Sequence, residues 1–448
     1  MDYVLKNKDE VVLEFGVEDI EEYTNFMGQI TSSCIISLNI INEKLLPKSI
    51  KKEKAKTNLS SWIQARKVPK NREFVDEIIA SYKDEDKKEK LMDYINISLG
   101  LSLNDSFWII PKDKDYKWKD YNLYINDFNE SLKLVAFGVH LSKMKHLTSS
   151  PEYTTNGMLR KCWHKENGEI YLYKANSKEY ANSGKEAYSE YYMAQIATLM
   201  NFTHIPYDLK EFHNKLVSVC PIFTNEDEGY LAIYYCLDEE VLEQKDSKSL
   251  VAMAKIYGEE KLQDLLVFDA LIMNPDRHLG NFGMIVDNNT GKLLRPAPIF
   301  DNGCSLINTL TKEELSDIEK ALKPKMSYFG YSFDEQLKLF IQPRHTQGLE
   351  KLKHFTFKRH EKYNLSEEWL KPIESFIQQR ATKALEFIKE KEALEEQTRL
   401  NDLIEQTKIH QAEADLRAKE QQSDILETSS SESLKETTNI HTHRIRKR

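Results

Sequence analysis

Residues 274–281 read NPDRHLGN and residues 297–303 read APIFDNG. Asp276, Asn281 and Asp301 thus recur in an order that asks for a common purpose. Between them, the pattern predicts a strand over 284–286, a turn over 287–291 and a second strand over 298–300, a hairpin that returns Asp301 to the side of Asn281. Taken singly, each has an ordinary explanation: Asp276 after Pro275 as a turn or cap residue, Gly280 and Asn281 as a loop, Asp301-Asn302-Gly303 as a hairpin turn. Taken together they fit a metal–nucleotide site. Phosphoryl transfer from ATP needs a group to orient the acceptor hydroxyl, oxygen ligands for Mg²⁺, a cation on the phosphates and a backbone that approaches them closely. Asp276 is suited to the acceptor, and Asn281 and Asp301 supply the hard oxygen donors that Mg²⁺ prefers.

The other parts are expected upstream. Lys174 lies in the alternating run IYLYKA, where an exposed strand lysine is the ordinary alternative. In KEAYSEYYMAQIATLM, Glu190 shares a helical stripe with Ala187, Met193, Ala194 and Ala197. A carboxylate on that inward stripe needs a cation, which Lys174 can provide. TTNGMLRKCW precedes the lysine strand. Its Gly157 permits close backbone approach to phosphate and Lys161 offers a second cation, with a plain hairpin as the alternative. SVCPIFT, 218–224, falls where strands give way to helices, so Cys220 and Phe223 are candidates for the segment that contacts adenine.

Composition limits the class. A chain of 448 residues, 40% hydrophobic and 30% charged, can build a folded body with a well-solvated surface. Its net charge of −9 argues against a body that wraps nucleic acid, and only the final HTHRIRKR runs basic. Five cysteines without a CxxC pair suit a reducing compartment. The start lacks a basic region followed by an apolar run, and no run of about 18 apolar residues occurs, so a cytoplasmic chain without a membrane span is expected where it is made.

Along the chain, residues 1–50 alternate as strands, KSIKKEKAKTN is a Lys-rich connector, and 60–100 turn helical, with Phe74, Ile78 and Ile79 on one face and an end at Gly100. DSFWIIP, LKLVAFGV, EIYLYKA and KLVSVCPIF read as strands around one helix, and the chain after 225 is mainly helical apart from the opening motif. SEEWLKPIESFIQQRATKALEFIKEKEAL carries an apolar stripe through Ile373, Ile377, Ala381, Ala384, Leu385 and Ile388. That stripe fails beyond about 395, where a charged helix is expected, and the composition from about 423 reads as disorder. The expected fold is α+β and bilobal: an N-terminal accessory region over 1–100, a strand-rich lobe and hinge over 101–224, a helical lobe over 225–394 and a helical, partly disordered tail over 395–448.

NPDRHLGNFG with APIFDNG, together with LSLNDSFWI, TTNGMLRKCW, YLYKA and YNLSEEWLKPIESFIQQRA, resembles the HipA-like serine/threonine kinases of the protein-kinase-like and phosphatidylinositol-kinase-like fold group. The likeness runs from about 100 to 390. It implies Asp276 as catalytic base, Asn281 and Asp301 as Mg²⁺ ligands, Lys174 as the phosphate-binding lysine, Glu190 as its helix partner, and Arg277 and His278 as orienting groups. Within the family a serine three residues before the loop glycine and seven before a lysine is autophosphorylated, which expels the loop. Thr154, Gly157 and Lys161 keep that spacing, so Thr154 is the implied autophosphorylation site, with Thr155 as the neighbouring alternative. The resemblance also implies ATP and Mg²⁺ as cofactors, a protein Ser/Thr acceptor, a HipB-like antitoxin partner within a toxin–antitoxin system, and, by analogy with cell-translocating members, delivery by a secretion system. Asp301-Asn302-Gly303 stands where many protein kinases have Asp-Phe-Gly, so their aromatic switch is not available. Two other functions share these parts: a lipid or small-molecule phosphotransferase, and a nucleotide-binding regulator without catalysis.

Overall fold

The computed structural model describes residues 1–24, 28–73, 78, 90–138, 150–180, 182–243 and 247–444. The chain opens with three antiparallel strands, β1 (Asp2–Asn7), β2 (Glu10–Thr24) and β3 (Gly28–Ile40). β4 (Phe107–Pro111) pairs with the free side of β1, giving the order β3-β2-β1-β4. Side chains alternate along β1. Tyr3 and Leu5 enter one core with Leu59, Trp62 and Ile63 of helix α1 (Ala55–Ala65), and Val4 enters another with Trp108, Ile110 and Trp118. Covering both faces explains why FWII reads as an unbroken apolar run. The pairing of β4 also carries the N-terminal sheet across the boundary expected at 100, because an edge strand is completed by its hydrogen-bonding partner wherever that lies in sequence.

The next sheet, of order β5-β6-β8-β7, is antiparallel throughout and comprises β5 (Lys161–Glu166), β6 (Glu169–Ala175), β7 (Asp208–Phe212) and β8 (Lys215–Pro221). Two local readings need correction before and beside it. The described part of LKLVAFGV, 132–138, is not a strand: α2 (Glu130–Ala136) forms there because the Asn129 side chain accepts from Ser131 N and Leu132 N, at 3.0 and 3.2 Å, and caps a turn that buries Leu132, Val135 and Ala136. The Lys-rich connector likewise runs into α1, whose Leu59, Trp62 and Ile63 bury one face while its lysines stay in water. The expected face of Phe74 and Ile79 lies outside the described residues, whereas Ile78 is buried.

Helix α3 (Glu186–Leu199) buries Ala187, Glu190, Met193, Ala194 and Ala197 and contacts β6, β7 and β8. The chain leaves β8 and adds a strand that the sequence reading missed, β9 (Glu228–Ala232), which pairs with β10 (Gly283–Asp287). β10 in turn pairs with β11 (Leu293–Pro296), so the second strand of the expected hairpin lies nearer its turn than 298–300. Pro296 and Pro298 lack N–H donors and end the ladder. Ile299 instead makes an isolated parallel bridge to His204.

Helices α4 (Ser247–Tyr257), α5 (Glu259–Ile272) and α6 (Phe333–Phe340) supply the rest of the core, α5 packing against both others. The last helix, α7 (Glu367–Arg444), buries Ile373, Ile377, Ala381, Ala384 and Leu385. The chain divides into two compact units, Met1–Leu385 and Glu386–Arg448. Within the second, residues 392–414 are exposed all round, in keeping with the lost apolar stripe. What the composition past 423 excludes is a packed core; the backbone there continues as helix to Arg444. Among the described residues no helix is long and apolar enough to cross a membrane. The fold is α+β, as the alternating and then helical patterning predicts.

Ile377 is fully buried. Ile377→Ala is expected to lower the unfolding free energy by about 2–5 kcal/mol, as read from urea denaturation.

Candidate active site

α5 ends at Met273, whose left-handed backbone (φ 55°) turns the chain into NPDRHLGN. That loop is closed by its own amides. Asn274 Nδ2 donates to Asp269 Oδ1 at 3.1 Å, Asp276 N donates to Asn274 Oδ1 at 3.1 Å, and Asn281 Nδ2 donates to the Asp276 carbonyl at 2.9 Å. With its amide nitrogen so engaged, Asn281 keeps a side-chain oxygen that is chemically able to ligate a cation.

Arg277 holds the loop to the rest of the site. It is 1% exposed, and its Nε donates to Asp269 Oδ2 at 3.0 Å while Nη2 donates to Asp269 Oδ1 at 2.9 Å. Nη1 donates to the Asn281 carbonyl at 3.1 Å and to the Phe300 carbonyl, and Nη2 also reaches Asn302 Oδ1 at 2.8 Å. One guanidinium therefore ties α5, the Asn281 loop and the two neighbours of Asp301. Burial acts to lower the proton affinity of Arg277, and the Asp269 carboxylate outweighs it, while burial raises Asp269 against the pull of Arg277. Sequence reasoning missed Asp269, although an Asp inside LLVFDALIM is itself a sign of a buried cation nearby.

Lys174, on β6, is the second anchor. Its Nζ donates to Glu190 Oε1 at 2.7 Å and to Asp301 Oδ1 at 2.5 Å, so a strand, a helix and the DNG segment converge on one ammonium. Glu190 also accepts from the Ser218 hydroxyl of β8. Burial works against the Lys174 charge, but Asp301 and Glu190 together hold it well above the usual lysine range. Burial would raise Asp301, yet Lys174 and Lys161 hold it well below the usual carboxylate range. Burial pushes Glu190 up, against the pull of Lys174. Asp301 has φ 57°, a left-handed conformation uncommon for Asp, and its N–H donates to the Tyr207 hydroxyl at 3.0 Å. Neither Ser218 nor Tyr207 carries a sequence signal for this role, since both are supplied by tertiary contact.

The loop 154–161 flanks this cluster. Gly157 has φ 95°, and a Cβ there would run into Lys161 Nζ. Lys161 donates to the Asn156 carbonyl at 2.7 Å, and burial followed by the neighbouring charges of Lys174 and Arg72 lowers it to about 7. Thr154 is buried with its hydroxyl donated to the Leu101 carbonyl at 2.9 Å. Thr155 donates to the Pro151 carbonyl at 2.6 Å and accepts from Trp163 Nε1 at 2.9 Å. Either hydroxyl would have to leave these partners to accept a phosphate.

The remaining candidates sit at the edges. Cys220 lies on β8 opposite Leu172, its thiol pushed far up by burial. The Phe223 ring lies 5.5 Å from Phe300 and 5.6 Å from Tyr230. His278 is exposed and accepts from Gly280 N at 3.0 Å, a contact that shapes the loop. Asp276 is exposed as well. A cavity of about 300 Å³, lined by Trp62, Phe107, Asn156, Tyr230 and Gly280 among others, adjoins the loops but is lined by neither Lys174 nor Asp301.

The sequence matches no protein-family model and no curated protein. Among solved structures it is similar to the proinflammatory kinase CtkA of Helicobacter pylori, at 19% identity and a TM-score of 0.42 over 53% of this chain and 93% of that one. It is also similar to a chain of the HipA–HipB toxin–antitoxin complex with operator DNA from Shewanella oneidensis MR-1, at 10% identity and a TM-score of 0.49 over 87% of this chain and 98% of that one.

Two outcomes follow from these charges. Asp269→Asn leaves Arg277 buried without its counter-charge and is expected to cost about 3–5 kcal/mol in urea denaturation. Lys161 gains its charge below about 7. With ATP as the ligand, as proposed below, binding is expected to tighten as pH falls from about 8 to about 6, and Lys161→Met should flatten that dependence relative to the unmodified chain in calorimetric titrations.

Proposed function

We propose that the chain is a protein serine/threonine kinase that uses ATP and Mg²⁺. The observation that carries this reading is the Lys174 ammonium bridging Glu190 and Asp301, beside a loop on which Asp276 is open to solvent. Asn281 and Asp301 form a donor set of two oxygen groups, which fits Mg²⁺ because that ion is commonly held by one or two protein oxygens and completed by phosphates. Bound Mg²⁺ supplies neutralisation of the phosphate charge. Lys174, released from Asp301, holds the phosphates of the nucleotide while Glu190 keeps its ammonium oriented. Asp276 accepts the proton of the incoming hydroxyl. Arg277 keeps Asn281 and Asp301 at a fixed separation during the transfer, since both segments hang on its guanidinium.

The exposure of Asp276 and His278 favours a protein side chain as acceptor, because a carboxylate open to solvent can be reached by a loop of another protein. On the same reading Thr154 is the autophosphorylation site, which requires the loop to leave the seat that the Leu101 carbonyl gives it.

The test is transfer from labelled ATP to proteins of a cell lysate. Asp276→Asn is expected to slow labelling about 10²–10⁴-fold while leaving the melting temperature unchanged, and Asp301→Asn to reduce it to background. Undiminished labelling by either variant rejects the assignment, and labelling confined to lipids or small metabolites moves the acceptor to those classes.

A further inference from the structure

Arg72 lies in the N-terminal segment, outside the β5–β8 sheet and the motif loops, and is 2% exposed. Among the described residues no carboxylate pairs with it, and its Nε has no hydrogen-bond partner. Its donors go instead to backbone carbonyls of one loop: Nη1 to Thr155 at 3.0 Å and to Gly157 at 3.5 Å, Nη2 to Lys161 at 2.7 Å. The next residue continues the grip. Glu73 N donates to the Met158 carbonyl at 3.0 Å, and the Glu73 carboxylate pairs with Arg160. The hydrogen bonds of Arg72 all go to neutral carbonyls, and the nearby Glu152 and Glu73 charges do not outweigh its burial, so the arrangement calls for an explanation beyond stability.

The geometry of the peptide group provides one. In a trans peptide the carbonyl of one residue and the N–H of the next are antiparallel, and no cis peptide occurs among the described residues. Carbonyls of Thr155 and Gly157 drawn onto Arg72 therefore turn the N–H groups of Asn156 and Met158 away from it. The Asn156 carbonyl is taken by Lys161 Nζ and the Met158 carbonyl by Glu73 N. None of the N–H groups of Asn156, Gly157, Met158 and Leu159 has a protein acceptor among the described residues. These four consecutive amides, beside the Lys161 ammonium, are open to an anionic acceptor.

We infer that Arg72 is a positioning residue: with Glu73 it clasps the loop by its carbonyls so that the amides of 156–159 are preset for the phosphates of ATP. This rests on the kinase reading for its ligand. It makes the N-terminal segment part of the nucleotide site through the loop, without contact between Arg72 and substrate.

MgATP titration by calorimetry, steady-state kinetics and hydrogen exchange of the 156–159 amides test it together on the full chain. Arg72→Lys keeps the charge but loses the fork that spans several carbonyls. It is expected to weaken MgATP binding and raise KM for ATP about tenfold while kcat changes less than about twofold, and to remove the protection that ATP gives those amides. In the unmodified chain, addition of ATP is expected to slow exchange at 156–159. Unchanged affinity and KM in Arg72→Lys overturns the inference while leaving the kinase reading intact. Absence of loop protection in the unmodified chain with ATP bound also overturns it, even where Arg72→Lys fails to fold. Failure of the unmodified chain to bind MgATP at all overturns both.

Discussion

A single buried guanidinium holds the chemistry-bearing segments of this protein in one geometry. Arg277 spends its five donors on a helix carboxylate, on two carbonyls that belong to separate loops and on the Asn302 side chain. A charge so deeply buried is tolerated only with a counter-ion, and Asp269 supplies it from within an otherwise apolar helix. The consequence is mechanical. Asn281 and Asp301 lie on segments that share no strand pairing with each other, yet both are referred to the same rigid fork. The left-handed turn at Met273 and the left-handed Asp301 are held by the contacts that surround them.

Around that clamp the charges divide into two kinds. Lys174 pairs with both Glu190 and Asp301, a cluster that can be opened by a ligand that offers phosphate to the lysine and a cation to the aspartate. Lys161 and Arg72 have no carboxylate on them. Burial, only partly offset by Asp301 and Glu190 near the first and by Glu152 and Glu73 near the second, lowers them to about 7 and about 10. A fold optimised only for stability would pair these cations. Leaving them without a direct ion pair at one loop keeps positive potential where a polyanion is proposed to dock.

The legible parts of the structure were those that local pattern controls. The stripe Ala187, Glu190, Met193, Ala194 and Ala197 predicted both the helix and its buried carboxylate, because a period near 3.6 aligns those side chains whatever the surroundings. The partner of that carboxylate was legible for the same reason, from the need to compensate a buried charge. LKLVAFGV was misread as strand because its apolar density is that of either element, and one hydrogen-bonding side chain, Asn129, decides for the helix. β9 was missed because five residues of mixed character give no period to detect, and its identity as a strand depends on β10 lying beside it.

By itself the sequence determined the candidate residues and their order: an Asp, an Asn and an Asp with turns between them, a strand lysine, a helix glutamate and a glycine loop. Those depend on side-chain chemistry and on spacing along the chain, which are local quantities. Only the tertiary structure decided what keeps them in place. Arg72 meets the loop across more than eighty residues of chain, at Thr155, and β4 joins a sheet begun at Asp2. Such contacts are set by where the backbone folds back and by which carbonyls it leaves unpaired. No periodicity or motif encodes them, because their energy comes from burial and hydrogen-bond satisfaction that exist only once the chain is packed.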